Sequence, residues 1–239
     1  MKTKINNLDK ILGEITPGEC LSIGARPGVG KTALALQIAL NNTSKENPIL
    51  FITPESDVGE LMRNRIIRNT LEKNCEETEE FINNGTVEEN LIIAQKMEGL
   101  ILETEIYNRE DLLKTIRAYT SKYKLGLIVV DNIAFIDTDS KKESDKEEIL
   151  EVTSELRELA KENNTAIIYT NQLLPLDDTT EPQITDLRCA YALSKNVDKI
   201  ILVWNKENVS PVTILNCKVI SLGKTEEISY NKETQTITD

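Results

Sequence analysis

The chain has 239 residues, 39% of them hydrophobic, which is compatible with one large α/β domain or two small ones; we expect a single domain over 1–239. Forty acidic against 28 basic residues give a net charge of −12, which argues against the broad positive surface of an autonomous nucleic-acid-binding protein. The absence of histidine excludes histidine-ligated metal sites and histidine-based catalytic triads.

Short aliphatic runs alternate along the chain with segments of helical periodicity. This pattern predicts an α/β fold in which helices flank a mostly parallel central sheet. Because the runs are almost wholly apolar, we expect strands that are buried on both faces. Core strands are predicted at 20–23, 49–52, 127–130, 166–170 and 199–203, helices at 31–40, 58–71, 109–123 and 147–162, and C-terminal antiparallel strands at 212–220 and 226–230.

The strongest motif is the glycine-rich loop ARPGVGKT at 25–32, which lies between a predicted strand and a predicted helix. Gly28 and Gly30 permit a tight turn whose N–H groups face a phosphate, and the helix N-terminus adds its positive dipole. Lys31 would contact the β- and γ-phosphates of ATP, and the Thr32 hydroxyl would bind Mg²⁺. The predicted nucleotide-binding residues are Arg26, Pro27, Gly28, Val29, Gly30, Lys31, Thr32 and Ala33.

Three polar side chains follow predicted strands, at the edge where open α/β sheets bind ligands. Asp131 comes directly after 127–130 and would complete the Mg²⁺ site with Thr32. Glu55 follows the second strand and could polarise the attacking water, but an acid favoured by the next helix dipole fits equally. Gln172 could contact the γ-phosphate or be a buried structural amide.

Taken in order, these segments resemble the ATPase domain of DnaB-type replicative helicases and, more distantly, RecA and KaiC-like proteins. The resemblance runs from Leu8 to Lys224 through LDKILGEITPGECLSIGARPGVGKTALALQIA, ILFITPES, LGLIVVDNIAFI, LRELAKENNTAIIYTNQL and ITDLRCAYALSKNVDKIILVWN. It implies a RecA-like P-loop fold and a hexameric ring that hydrolyses ATP between subunits and draws single-stranded DNA through its channel. It also implies that Glu55 is the catalytic base and Gln172 the sensor.

The chain departs from the family pattern in three ways. Where the family has a Lys-x-Arg motif that reaches the neighbour's ATP site, this chain has Lys218 but Ile220, so we expect slow hydrolysis unless Lys218, or Lys224 or a partner, supplies the missing charge. We expect the chain to begin at the ATPase domain, without the helicase N-terminal domain and linker helix, which leaves both an active hexamer and an isolated monomer open. The DNA-loop regions, 137–148 and 174–185, are acidic.

Three functions follow from these residues. The first is an ATP-driven DNA helicase or translocase in replication. The second is a RecA-like ATP switch, loader or regulatory subunit without unwinding activity, which the acidic composition and the missing arginine favour. The third, a small-molecule kinase, lacks an evident acceptor or lid signature.

The four cysteines are far apart in sequence, with no CxxC pair, which is typical of reduced thiols. The N-terminus lacks the apolar run of a signal peptide, and no stretch approaches the ~20 apolar residues of a membrane span. We therefore expect a cytoplasmic protein without membrane contact.

Overall fold

The computed structural model has one sheet at its centre. It describes residues 1–54, 56–106, 108–133, 145–174, 177, 179–187 and 190–239. At 145–148, 192, 208 and 209 only the backbone is described. The strands are β1 (Cys20–Ala25), β2 (Ile49–Ile52), β3 (Leu100–Glu103), β4 (Leu127–Val130), β5 (Ala166–Gln172), β6 (Lys199–Val209), β7 (Val212–Val219), β8 (Lys224–Asn231) and β9 (Thr236–Thr238). Their order across the sheet is β3-β2-β4-β5-β1-β6-β7-β8-β9.

The sheet is parallel from β3 to β6 and antiparallel from β6 to β9, which confirms the predicted α/β arrangement. Every residue of β1, β2 and β4 is buried, as their continuous apolar runs predict. In β7, buried and half-buried residues alternate, because one face of this antiparallel strand is more open. The predicted bounds of 49–52 and 127–130 are those observed.

Helices cover both faces of the sheet, and each face has its own hydrophobic core. One core joins β1 to the first two helices and the C-terminal strands, and the other joins the sheet to the seventh and eighth helices. The helices are α1 (Asn6–Leu12), α2 (Lys31–Asn42), α3 (Val58–Leu61), α4 (Arg68–Leu71), α5 (Cys75–Asn84), α6 (Val87–Lys96), α7 (Arg109–Lys122), α8 (Asp145–Glu162) and α9 (Ala190–Asn196).

The helix predicted at 58–71 is continuous but not uniform, because Met62–Ile67 forms a π-helical segment between α3 and α4. A π turn holds an extra residue and so rotates the side chains that follow it. Arg65 and Arg68 both reach the hairpin between β8 and β9, where Arg68 Nε donates to the Glu233 carbonyl at 2.6 Å. The π-helical segment therefore coincides with contacts to a hairpin far along the chain. The hydrophobic periodicity of the sequence does not reveal this segment.

The sequence interpretation missed α1, α5, α6, α9, β3 and β9. The sequence does carry the start signals of α5 and α6, because Asn74 with Glu77, and Thr86 with Glu89, form reciprocal capping boxes. These helices bury few apolar residues, Phe81 in α5 and Ile93 in α6, so little of their sequence marks a face that packs on the core. The two helices pack on the rest of the protein through a small separate cluster.

Within the described residues, no helix is both long and apolar enough to cross a membrane. Cys20, Cys75 and Cys217 are free thiols. Burial raises the pKa of Cys20 to about 12 and that of Cys217 to about 12, so both thiols stay protonated at neutral pH. Neither of them is a candidate nucleophile.

Candidate nucleotide-binding site

The candidate site lies at the carboxyl ends of the parallel strands. Ala25 at the end of β1 pairs with Gln172 at the end of β5, and Asp131 directly follows β4, the neighbour of β5. The Asp131 N–H donates to the carbonyl of Ile52, the last residue of β2, at 2.8 Å. The structure therefore brings the glycine-rich loop, Asp131 and Gln172 to one edge.

The glycine-rich loop adopts backbone conformations that explain its glycines. Gly28 has φ of 76° and Gly30 has φ of 119°, a region that residues with a Cβ rarely adopt. The Val29 N–H donates a hydrogen bond to the Arg26 carbonyl at 3.3 Å, which forms a turn. Helix α2 begins immediately after Gly30, at Lys31. The loop therefore precedes a helix N-terminus, as a phosphate-binding loop requires.

The remaining residues of the loop differ in how far they are exposed to solvent. Pro27 and Gly28 are exposed, whereas Val29 within the loop and Ala33 just after it are buried and pack on the core. Lys31 is half-buried, and no described residue forms a hydrogen bond or ion pair with its ammonium group. At a helix N-terminus the dipole disfavours a cation, so a bound anion would stabilise the half-buried ammonium group.

Asp131 and Thr32 form the pair that the sequence predicts for Mg²⁺. Asp131 is 1% exposed, and its Oδ1 accepts hydrogen bonds from the hydroxyls of Thr32 at 3.2 Å and Thr170 at 2.6 Å. A carboxylate and a hydroxyl are the hard oxygen donors that Mg²⁺ prefers, and phosphates and water usually complete its shell. No group of three or more Cys, Asp or Glu residues suited to a metal occurs in the described ranges. The residues therefore fit Mg²⁺ held jointly with a nucleotide.

Thr170 was not among the predicted site residues. It lies in β5, is fully buried, and makes the shorter of the two hydroxyl contacts to Asp131. This bond helps to orient the Asp131 carboxylate. A threonine within an apolar strand carries no signal of its own, because hydroxyls are also common where strands are merely buried.

The amides at the end of β5 differ in their surroundings. The buried Asn171 donates from Nδ2 to Ser22 Oγ of β1 at 2.9 Å, so its role is to join two core strands. Gln172 is half-buried, and no bond from its side chain to another described residue is present. Gln172 is thus the amide that stays available at the site edge, whereas Asn171 is committed to the core.

Arg26, one of the predicted nucleotide-binding residues, has a side chain that turns into the protein. It is 1% exposed, and its Nη1 donates to the Thr180 carbonyl at 2.8 Å. Any contact of Arg26 with a phosphate would therefore come from its backbone. The guanidinium instead fixes the loop to the chain that follows β5.

Lys218 lies in β7 and forms an ion pair with Glu181, one residue beyond the partner of Arg26. The Lys218 side chain is 24% exposed and the Glu181 side chain 49%. Ile220, where the family pattern has arginine, follows β7 and packs against the core on the α7–α8 face. An arginine at position 220 would replace those apolar contacts, and its side chain would have to leave the core face to reach the ATP site of a neighbouring subunit.

Some predicted residues lie outside the described residues. Glu55 is one of them, and so are residues 137–144 of the first predicted DNA loop, whereas 145–148 form the start of α8. In the second loop, 174–185, the Leu174 N–H bonds the Asp186 carbonyl at 2.8 Å, so the chain folds back on itself. Within this loop, the Thr180 carbonyl accepts a hydrogen bond from Arg26, and the Glu181 carboxylate pairs with Lys218.

Sequence comparisons place this chain among known proteins. The model of the DnaB-like helicase C terminal domain matches residues 1–235. The chain is 25% identical over 236 residues to a Chlamydia psittaci protein named probable plasmid replicative DNA helicase, covering 94% of this chain and 50% of that protein. It is 26% identical over 224 residues to the replicative DNA helicase DnaB of Rickettsia felis, covering 87% and 45%. The chain therefore spans about half the length of these curated relatives.

Solved structures share the fold. One of them, described as an ATPase domain, superposes with a TM-score of 0.80 at 16% identity, covering 99% of this chain and 90% of that chain. A DnaB-like replicative helicase, solved in a study of its interactions with primase, has a TM-score of 0.79 at 17% identity and covers 99% and 61%. The predicted RecA-like α/β fold is confirmed.

Proposed function

Because this chain belongs to the DnaB-like helicase C terminal domain family, we propose that it is an ATP-hydrolysing motor domain that acts on DNA during replication. One observation carries the proposal: Asp131, at the end of β4, lies 3.2 Å from the Thr32 hydroxyl, directly after the glycine-rich loop. A glycine-rich turn that binds no nucleotide would not need an acid beside the Thr32 hydroxyl. Similar proteins of C. psittaci and R. felis are named replicative DNA helicases, which supports a role in replication.

Each site residue has a distinct part in the proposed reaction. The loop N–H groups and Lys31 bind the phosphates, and Thr32 with Asp131 holds Mg²⁺. Bound Mg²⁺ would neutralise charge on the phosphate oxygens during hydrolysis. Glu55 accepts the proton of the attacking water, and Gln172 contacts the γ-phosphate or that water.

The rate of ATP hydrolysis, measured with and without single-stranded DNA, tests the proposal when it is combined with the mass of the protein in ATP. We expect hydrolysis that requires Mg²⁺, that DNA stimulates, and that accompanies assembly into a homo-oligomer, which the family resemblance suggests is a hexamer. The segments 137–148 and 174–185 are the proposed DNA contacts. A chain that binds no ATP would refute the assignment.

A second function, an ATP switch or loader without unwinding activity, has specific support. Ile220 stands where the family has arginine, and Lys218 is already paired with Glu181 in the same chain. The net charge of −12 disfavours autonomous DNA binding. An ATPase rate that does not respond to DNA, from a protein that stays monomeric in ATP, would favour this alternative.

The Lys218→Ala variant tests whether this lysine acts on a neighbouring subunit. We expect the ATPase rate of the oligomer to fall about tenfold or more, since a charge supplied in trans stabilises the transition state. ATP binding to the isolated subunit should not change. An ion pair that solvent still reaches is worth on the order of 0–1 kcal/mol, so leaving Glu181 would cost Lys218 little.

Two further variants sharpen this measurement. Lys206→Ala removes a second ion-paired lysine, a more exposed one in β6, and should leave the rate unchanged. Mixing Lys218→Ala with Glu55→Gln subunits should restore activity, because some interfaces then combine an intact Glu55 site with an intact Lys218. If oligomeric Lys218→Ala hydrolyses ATP at the wild-type rate, Lys218 is only a solvated strand residue.

A further inference from the structure

A buried aromatic ring lies directly beneath the glycine-rich loop. Tyr230 of β8 is 3% exposed, and two carbons of its ring lie 3.1 Å from the position that a Cβ on Gly30 would occupy. A carbon of Leu215, in the adjacent strand β7, lies 3.7 Å from the same position. A side chain at position 30 is therefore disfavoured twice, by the φ of 119° and by the ring. The loop rests on the tyrosine without spare room.

The tyrosine hydroxyl is held from below by a polar network. It donates to Gln235 Oε1 at 2.8 Å, and Arg65 Nη1, from the π-helical segment, donates to the same oxygen. Gln235 is itself fixed, because its Nε2 donates to the Lys232 carbonyl and its own carbonyl accepts from Asn69 Nδ2 at 2.8 Å. The ring is thus clamped between the loop above and the β8–β9 hairpin below.

We propose that Tyr230 is a positioning residue of the nucleotide site: its ring holds Gly30 so that the loop N–H groups converge on the phosphates. The inference rests on the proposed nucleotide binding and adds to it a residue that does not touch the ligand. Donors that are ordered before binding lose less conformational freedom when the ligand arrives. The simpler alternative is that Tyr230 only fills the core that it shares with Ile228 and Ile237.

Three variants separate positioning from core filling. Tyr230→Leu keeps an apolar side chain but removes the flat ring, whereas Tyr230→Phe keeps the ring and loses only the hydroxyl. Ile228→Ala, in the same strand and core, creates a cavity but removes no atom from beneath Gly30. For each variant we would measure the dissociation constant of MgADP, the hydrogen exchange of amides 28–32, and the melting temperature.

For Tyr230→Leu we expect MgADP affinity to fall about tenfold and the loop amides to exchange faster, because the loop is no longer pre-ordered. Tyr230→Phe should bind within about threefold of wild type, since the ring is retained. Ile228→Ala should melt at a lower temperature but keep both MgADP affinity and loop exchange. If Tyr230→Leu does not fold, Tyr230→Met, whose longer and more flexible side chain adapts better to an irregular gap, takes its place.

Wild-type affinity and loop exchange in Tyr230→Leu would overturn the proposal. Equal losses of affinity in Ile228→Ala and Tyr230→Leu would also overturn it, because the effect would then belong to the core as a whole. If the wild-type chain binds no MgADP but loop exchange still rises only in Tyr230→Leu, the proposed function fails while the support of the loop by Tyr230 stands.

Discussion

Replacing Lys31 by alanine is expected to abolish measurable ATP binding while the fold is retained. Truncating one partner of a buried, hydrogen-bonded charge pair costs about 2–5 kcal/mol, so affinity should fall by about 30-fold to several thousand-fold. The half-buried ammonium has no partner among the described residues and lies in the first turn of α2, where the helix dipole disfavours a cation. Its position therefore suits a bound phosphate and not the stability of the helix.

Calorimetric titration of ATP and thermal unfolding check this prediction together. Alanine is also the better helix former, so the melting temperature of Lys31→Ala should stay unchanged or rise slightly. Lys45→Ala, an exposed lysine just beyond the same helix, is the matched control and should bind ATP normally. Tight ATP binding by Lys31→Ala would refute the phosphate-binding loop.

Changing Glu55 to glutamine is expected to leave ATP and Mg²⁺ binding intact but to slow hydrolysis at least ~100-fold, as expected when a general base is lost. Glutamine matches the shape of glutamate but cannot accept the proton of the attacking water. Single-turnover hydrolysis measures the chemical step directly, apart from product release.

The competing explanation for Glu55 is an acid favoured by the dipole of α3. On that explanation the variant would lose a few tenths of a kcal/mol of stability and no activity. Glu60→Gln is the control for this alternative, because Glu60 is an exposed acid in the first turn of α3. Equal turnover by Glu55→Gln and wild type would remove Glu55 from the reaction.

Taken together, the site residues support ATP binding more firmly than they support DNA translocation. The residues proposed to bind the nucleotide lie together on one chain, where the Thr32 hydroxyl contacts Asp131. The residues proposed to act on a neighbour are engaged within the chain, since Ile220 lies against the core and Lys218 is paired with Glu181. We therefore expect the ATPase rate of an oligomer to depend on whether Lys218 can leave Glu181.

How much the sequence predicts depends on how local each signal is. The strands at 49–52 and 127–130 are observed as predicted, because an apolar run between turn residues encodes its own ends. The sequence analysis does not predict α5 and α6, although both begin with a capping box, because few of their residues are apolar and buried. The π-helical segment was also missed, since its residues keep a helical pattern.

The proposed chemistry of the site can be predicted from the sequence, because a glycine-rich loop before a helix and an acid after an apolar strand are local patterns. The sequence also predicts that these residues share one edge, since parallel strands end on the same side. The residues that support them are known only from the three-dimensional structure: Thr170 against Asp131, Thr180 against Arg26, Glu181 against Lys218, and Tyr230 against Gly30. These contacts join residues far apart in the chain, and they depend on strand order and register, which local patterns do not encode.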